Sequence, residues 1–373
     1  MYGRGFSVLI ALIFSYGASA QSESPEKLFE QAVRWHQAGD IDRAIPAYEK
    51  FLAQRPDFLM ALSNLGAAYA RVGRYQDAIG QYRHALNLDP ANTQVQLNLA
   101  LAYYKTSQME IAAAILEKVH QAVPDQLQPA LLLANCWLAM GKNKDVIRLL
   151  APMAERSPGD LGTAYVLGTA LVRDNQLARG QVLIERILHE GDSAEARLLV
   201  GMTKLKAQDF AGSLADLAKA IELNPNLPDV YSFYGRALQV AGDAAGAVEA
   251  FRKALAANPN DYDANLQLAV YSKEENKLDE ARKYLDHALQ VRPGDFGVRY
   301  EMASVAMRQN KPDTARAELE SIVKESPDFV EAHVALATVY YRLKRKEDGD
   351  RERAIVQKLN AAAQDKQPGV NVK

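Results

Sequence analysis

Few residues in this chain combine the type and the spacing that chemistry demands. Its six histidines, His36, His84, His120, His189, His287 and His333, are dispersed, with no H-E-x-x-H pair to put two imidazoles on one helix face for a metal. Asp261-x-Asp263-x-Asn265 has the opening spacing of a calcium loop. Leu266 stands where that loop needs glycine, however, and the closing glutamate is missing, so the stretch reads as the start of a helix. Ser321 and Lys324 form an S-x-x-K, the spacing of a serine nucleophile and its base, but without companion motifs. The single cysteine, Cys136 in LLLANCWLAM, sits where the matching places hold Ala68, Ala102, Ala170 and Ala237, which assigns it to packing. No catalytic residue, metal site or cofactor is expected.

Composition agrees with a soluble, well-packed chain. Of 373 residues, 48% are apolar and 24% charged, which excludes disorder over most of the length. A net charge of −2 gives no electrostatic support to a nucleic-acid partner. The first residues, MYGRGFSVLIALIFSYGASA, have one basic residue, a short apolar core from Phe6 to Phe14, and Ala18-Ser19-Ala20. That layout predicts a secretory signal peptide over 1–20, cut after Ala20, with a linker over 21–24. The core is too short for a membrane span, and no cysteine follows the cut to carry a lipid. The chain is therefore expected to be exported, to the periplasm or the medium of a bacterium with an outer membrane, without a span after cleavage.

The elements that must position any site come from an internal repeat. Pro56, Pro90, Pro124 and Pro158 are 34 residues apart, and Pro225, Pro259, Pro293 and Pro327 resume that step after one shortened unit. This places ten units at 25–58, 59–92, 93–126, 127–160, 161–193, 194–227, 228–261, 262–295, 296–329 and 330–362, with a flexible tail over 363–373. The eighth place is Gly or Ala in every unit (Ala32, Gly66, Ala100, Ala134, Gly168, Gly201, Gly235, Ala269, Ala303 and Ala337). The twentieth is small in nearly all, as at Ala78, Gly180, Ser213 and Gly349. Glycine inside a helix costs up to about 1 kcal/mol against alanine, so its use implies close approach of two antiparallel helices. Gly39, Gly73, Gly141 and Gly242, or Asn175, Asn276 and Asn310, mark the turns between them. Each closing proline ends the second helix. Pro152 is expected to kink the helix it lies in.

Two departures stand out. The fifth unit has Asp192 where the others have proline and is one residue short; the sixth has Lys204 where Tyr69 and Tyr103 stand in theirs. The junction over 188–194 reads either as a soft joint or as a deletion without consequence. In the tenth unit Arg353 replaces a large apolar residue, as suits a terminal cap.

Leu62, Leu65, Gly66, Tyr69, Ala78, Tyr82 and Pro90 resemble the tetratricopeptide repeat pattern W-x₂-L-G-x₂-Y…A-x₃-F…P, with Leu62 in place of Trp. The resemblance runs from residue 25 to about 360. It implies an all-α fold, an α-α superhelix of antiparallel helix pairs whose first helices line a concave groove. Carried onto this chain, it assigns the groove to Asn64, Arg71, Asn98, Tyr104, Lys105, Asn135, Tyr165, Arg173, Phe233, Arg236, Tyr300, Arg308, Tyr341 and Arg342, with Phe29, Leu97 and Leu101 beside them. Aromatics and arginines between amides suit a peptide or helix of a protein partner. The Lys and Asn by which related cytosolic domains grip a chain-terminal carboxylate are absent: their places hold Phe29 and Val33, then Ser63 and Ala67. The expected function is a non-enzymatic envelope scaffold that binds protein partners through its groove. The alternative is a subunit of an envelope machine for polysaccharide export, pilus biogenesis or secretion, docking through its convex face.

Overall fold

The computed structural model describes residues 24–365. The expected signal peptide, most of the linker and the tail beyond 365 lie outside them. The described residues fall into two compact units, one up to Ala91 and one from Asn92 onward. The first contains α1 (Pro25–Gln37), α2 (Ile41–Gln54), α3 (Leu59–Arg71) and α4 (Tyr75–Leu88). The second begins with α5 (Thr93–Lys105), α6 (Met109–Ala122), α7 (Leu127–Ala139), α8 (Asn143–Arg156), α9 (Leu161–Arg173) and α10 (Leu177–His189). It continues with α11 (Ala194–Lys206), α12 (Phe210–Leu223), α13 (Val230–Val240), α14 (Ala244–Ala257) and α15 (Tyr262–Glu274). It ends with α16 (Leu278–Val291), α17 (Phe296–Arg308), α18 (Pro312–Glu325), α19 (Val330–Arg342) and α20 (Lys346–Asp365). Within each unit every helix packs on the next, and successive odd-numbered helices also touch, as α9 does with α7 and α11.

The small residues at the eighth place are sockets. A Cβ on Gly66 would lie 2.6 Å from the Tyr82 ring, one on Gly235 2.8 Å from Phe251, and one on Gly201 2.6 Å from Leu217 Cγ. Tyr82, Leu217 and Phe251 are almost fully buried and share one place in the second helix of their pairs. The sequence therefore fixes how closely a pair closes: a socket on one helix, a knob on the other, and packing as tight as an organic crystal between them. Gly168 departs from this, since its neighbour is Leu199 of the following pair at 3.1 Å.

The turn residues read from the repeat do what their types allow. Gly39, Gly73, Gly141 and Gly242 have φ between 74° and 89°, and Asn175, Asn276 and Asn310 between 59° and 62°. Ser107, Gln208 and Lys344 take the same left-handed conformation in the three remaining pairs, with no Gly or Asn to signal it. Pro152 falls inside α8 without ending it, and Pro46 does the same in α2. The final helix reaches Asp365, past the boundary drawn at 362. The seventh pair starts at Val230 because Asp229 is left-handed, with φ 64°, and supplies no side-chain cap.

Candidate functional site

The thirteenth place of the repeat, read as a groove position, is mostly taken up within the fold. In the second unit Arg308 Nη1 donates to the Lys273 carbonyl at 2.5 Å, and Arg342 Nη1 to the Met307 carbonyl at 3.3 Å. Both carbonyls end the first helix of the preceding pair, where unsatisfied acceptors and the negative end of the dipole favour a cation. Arg342 also donates to Asn310 Oδ1 at 2.9 Å. In the first unit the Arg71 guanidinium lies over the turn at Gly39. This arginine is largely a repeat-to-repeat cap, which accounts for its recurrence without any partner.

Other groove candidates also find partners inside the molecule. Asn64 lies beside the Tyr48 hydroxyl, and Asn98 accepts from Gln94 Nε2 at 3.2 Å. Tyr300 packs on Phe329 with ring centroids 6.0 Å apart. Tyr341 lays its ring over Gly349 and donates to Asp350 Oδ1 at 2.7 Å. Phe29 belongs to an aromatic cluster with Tyr48, Phe51 and Phe58, and Leu97 is a core residue, whereas Leu101 is 40% exposed. Asn135 is half-buried on α7 and Lys105 exposed at the end of α5.

A different set converges. Arg173 Nη1 donates to the Leu138 carbonyl at 3.2 Å, in the capping manner, but Nη2 turns to Asp229 Oδ2 at 2.7 Å, 56 residues on. Asp229 accepts this bond instead of capping α13, which accounts for its left-handed backbone as a local strain balanced by the ion pair. Burial works against the Arg173 charge, but Asp229, with Asp263, Tyr165 and Asp261, outweighs it and raises its pKa. Burial, then Asp229, raises the Asp261 carboxyl from 3.8 to about 7. Burial also pushes up the Tyr165 hydroxyl, and lifts Tyr104 to about 12. Phe233, 6% exposed, has the guanidinium carbons of Arg173 and Arg236 at 5.5 and 5.9 Å from its ring centre.

A second tie spans the longest sequence separation. Arg292 Nε donates to the Ala139 carbonyl at 2.8 Å, 153 residues away, with its guanidinium 3.5 Å above the Tyr262 ring. The turn after α7 and the turn after α16 therefore meet, and the inner wall of the second unit closes on itself. Two clefts of about 440 Å3 each lie on this unit. One takes Arg173, Phe233 and Arg236 into its wall; the other takes Tyr104, Lys105 and Asp229. Of the sequence candidates, Arg173, Phe233 and Arg236 share one cleft and Tyr104 and Lys105 the other, while Tyr165 feels the charges of Asp229 and Arg173. Asp229 and Arg292 were missed, and Asp263 was noted only for its calcium-loop spacing. Arg292 had no signal beyond lying before a closing proline, and its partner is set by the winding of five pairs.

The motifs that could have carried chemistry have structural partners. Asp261 caps α15 through the Ala264 amide at 2.8 Å, and Asn265 donates to the Pro259 and Asp261 carbonyls. Ser321 accepts from Arg299 at 2.8 Å and donates to Glu325. Cys136 is fully buried, and burial pushes its thiol up to about 12. Among the described residues, no group of three or more His, Cys, Asp or Glu is placed to hold a metal ion, and no helix is long and apolar enough to cross a membrane.

Residues 17–117 match the family model described as surface lipoprotein assembly modifier, N-terminal TPR repeats, and residues 238–303 and 272–328 match that of the tetratricopeptide repeat. A TPR repeat-containing protein of Methanocaldococcus jannaschii is 19% identical over 235 residues, 58% of this chain and 41% of the relative. The protein CTR9 homolog of Arabidopsis thaliana is 29% identical over 114 residues, 29% of this chain and 10% of the relative. The chain spans less than half the length of either relative. Among solved structures, the APC/C hetero-tetramer Cut9-Hcn1 superposes with a TM-score of 0.57 at 15% identity, over 90% of this chain and 81% of that one, a likeness of fold.

Proposed function

Because the chain is a tetratricopeptide repeat protein, a solenoid of antiparallel helix pairs, we propose that it is a non-enzymatic scaffold of the cell envelope that holds protein partners. The observation that carries this reading is that groove candidates line two clefts of the second unit, Arg173, Phe233 and Arg236 the one and Tyr104 and Lys105 the other. Aromatic and arginine side chains are the groups by which interfaces gain most of their affinity. Of these, Arg173 chiefly holds the wall together, while Arg236 and Lys105 remain available to a partner. The ties at Arg292 and Asp229 leave no continuous track for an extended peptide, so a partner inserts side chains there and does not thread.

A second reading is favoured by one finding, the match of residues 17–117 to the surface lipoprotein assembly modifiers. In it the chain is a subunit of an envelope assembly machine and docks through outward-facing helices. Val182 and Leu188 on α10, 57% and 37% exposed, are surface for such a contact.

Crosslinking in intact cells, with photoreactive residues at 239 in the same cleft and at 188 on α10, separates the two. Capture of a protein from 239, abolished by Arg236→Glu and kept in Val182→Arg, is expected. The reverse pattern selects the outer face and removes the inner-wall reading. Capture from neither position removes both.

A further inference from the structure

The cleft that contains Arg173, Phe233 and Arg236 has a lining that helix packing does not require. Four cationic side chains, Arg173, Lys206, Arg236 and Arg292, face one carboxylate, Asp263. Two of the four are engaged, Arg173 with Asp229 and Arg292 with the Ala139 carbonyl. Among the described residues no carboxylate pairs with Arg236 or Lys206. Arg236 is half-buried, and a charge drawn partly out of water without a counter-ion is unfavourable. Val172, Met202, Leu205 and Phe210 supply apolar wall to the same cleft. Its volume of about 440 Å3 lies within the range of small-molecule sites.

We propose that this cleft binds a small amphiphilic carboxylic acid, its carboxylate meeting Arg236 and Lys206 and its apolar body lying on Met202, Leu205 and Phe210. With Asp229 already held by Arg173 and one carboxylate, Asp263, in the wall, Lys206, Arg236 and Arg292 leave positive charge for an anion. The apolar wall selects an anion with an apolar body over inorganic phosphate, which has none. The acid is free and not the end of a partner chain, because the Arg292 and Asp229 ties interrupt the wall along which a chain would approach. Residues of α9, α11, α13 and α15 all face the cleft, so an occupant also strengthens the closed winding of the second unit. The acid shares Arg236 with the protein-partner reading, but its test uses the purified chain alone and that of the partner uses intact cells, so either can fail while the other holds.

The test is calorimetric titration of the full chain with octanoate and with phenylpropionate, alongside octanol, inorganic phosphate and a peptide with a free apolar C-terminus. Saturable binding of at least one acid is expected, with octanol, phosphate and the peptide weaker by about tenfold or more. Arg236→Gln should weaken the acid by about tenfold, with an unchanged helical circular dichroism spectrum. Should that variant misfold, Lys206→Gln decides, with a several-fold loss and an affinity that falls as salt rises from about 50 to about 500 mM. No binding of either acid overturns the proposal. So does binding untouched by the decisive substitution, or phosphate or peptide binding as tight as the acid's.

Discussion

The second and sixth helix pairs have glycine at the same repeat place and are held by different forces. In α3–α4, Gly66 receives the Tyr82 ring, and Tyr69 donates its hydroxyl to Glu49 at 2.5 Å. In α11–α12, Gly201 receives Leu217, and the place of Tyr69 belongs to Lys204. Lys204 Nζ reaches Asp216 Oδ2 at 2.6 Å, and Arg197 Nη1 reaches the other oxygen at 2.7 Å, on a carboxylate only 7% exposed. Arg197 also holds Asp192 at 2.5 Å, the residue that stands where other units have proline. The substitutions that make this junction irregular are thus the ones that build its ion network. A repeat can give up its proline and its aromatic ring when charges are set in their place, but its stability then depends on protonation.

The sharpest way to break the comparison is to fill both sockets. Gly66→Leu should lower stability by about 1–3 kcal/mol, and Gly201→Leu by more. A Cβ at 201 meets Leu217 at its Cγ branch point, close to the backbone, at 2.6 Å, whereas a Cβ at 66 meets Tyr82 farther out, on its ring. Urea midpoints of the two variants give the order; equal losses would mean that both sockets relax alike. Next in size is removal of the polar anchors. Asp216→Ala leaves the partly exposed Lys204 unpaired and Arg197 with Asp192 alone, and should cost about 1–3 kcal/mol, a fully buried pair's loss reduced by solvent screening. Glu49→Ala removes one hydrogen bond from Tyr69 and should cost about 0.5–1.5 kcal/mol. Thermal melts of the two variants check that ranking.

The two pairs should also fail at opposite ends of the pH scale. The Arg197 hydrogen bond holds the Asp192 carboxyl below 3.8, so its contribution is complete above that value and is lost as pH falls through the lower folded one. Burial, then Glu49, raises the Tyr69 hydroxyl from 10 to about 12. Its proton is retained longer in the folded state, so its contribution is complete below pH 10 and disappears by about 12. Amide exchange should therefore show α11–α12 and the linker 190–193 loosening first in acid, and α3–α4 in base. Linker amides as protected in acid as those of α8 would end the idea of a soft joint there.

What the sequence made legible was whatever repeats. A 34-residue period, a glycine socket and a turn residue depend on neighbours one hairpin away, so they recur and can be counted. Turns at Ser107, Gln208 and Lys344 escaped because ordinary residues were forced into a conformation set by the helices on either side. The groove was legible in part. Arg308 and Arg342 share their repeat place with Arg173, yet only Arg173 has an aspartate in reach of its second nitrogen. Arg292 and Ala139 meet through the accumulated rotation of successive pairs, a quantity to which each interface adds a little and that no single residue encodes.

The smallest effect separates the two pairs by sign. Gly80 lies exposed inside α4, and a Cβ there would meet nothing within 4 Å. Gly80→Ala should raise stability by about 0.5–1 kcal/mol, because alanine narrows the unfolded ensemble and suits the helix. Gly212 lies in the first turn of α12, and its amide donates to the Asp209 capping carboxylate at 2.9 Å. An added Cβ there runs into that carboxylate and turns it away, so the gain in helix propensity is offset by loss of a cap of about 0.5–2 kcal/mol. Gly212→Ala should therefore melt at or below the parent temperature while Gly80→Ala melts above it. Asp209→Ala made together with Gly212→Ala isolates the cause: once the cap is gone, alanine at 212 should stabilise as alanine at 80 does.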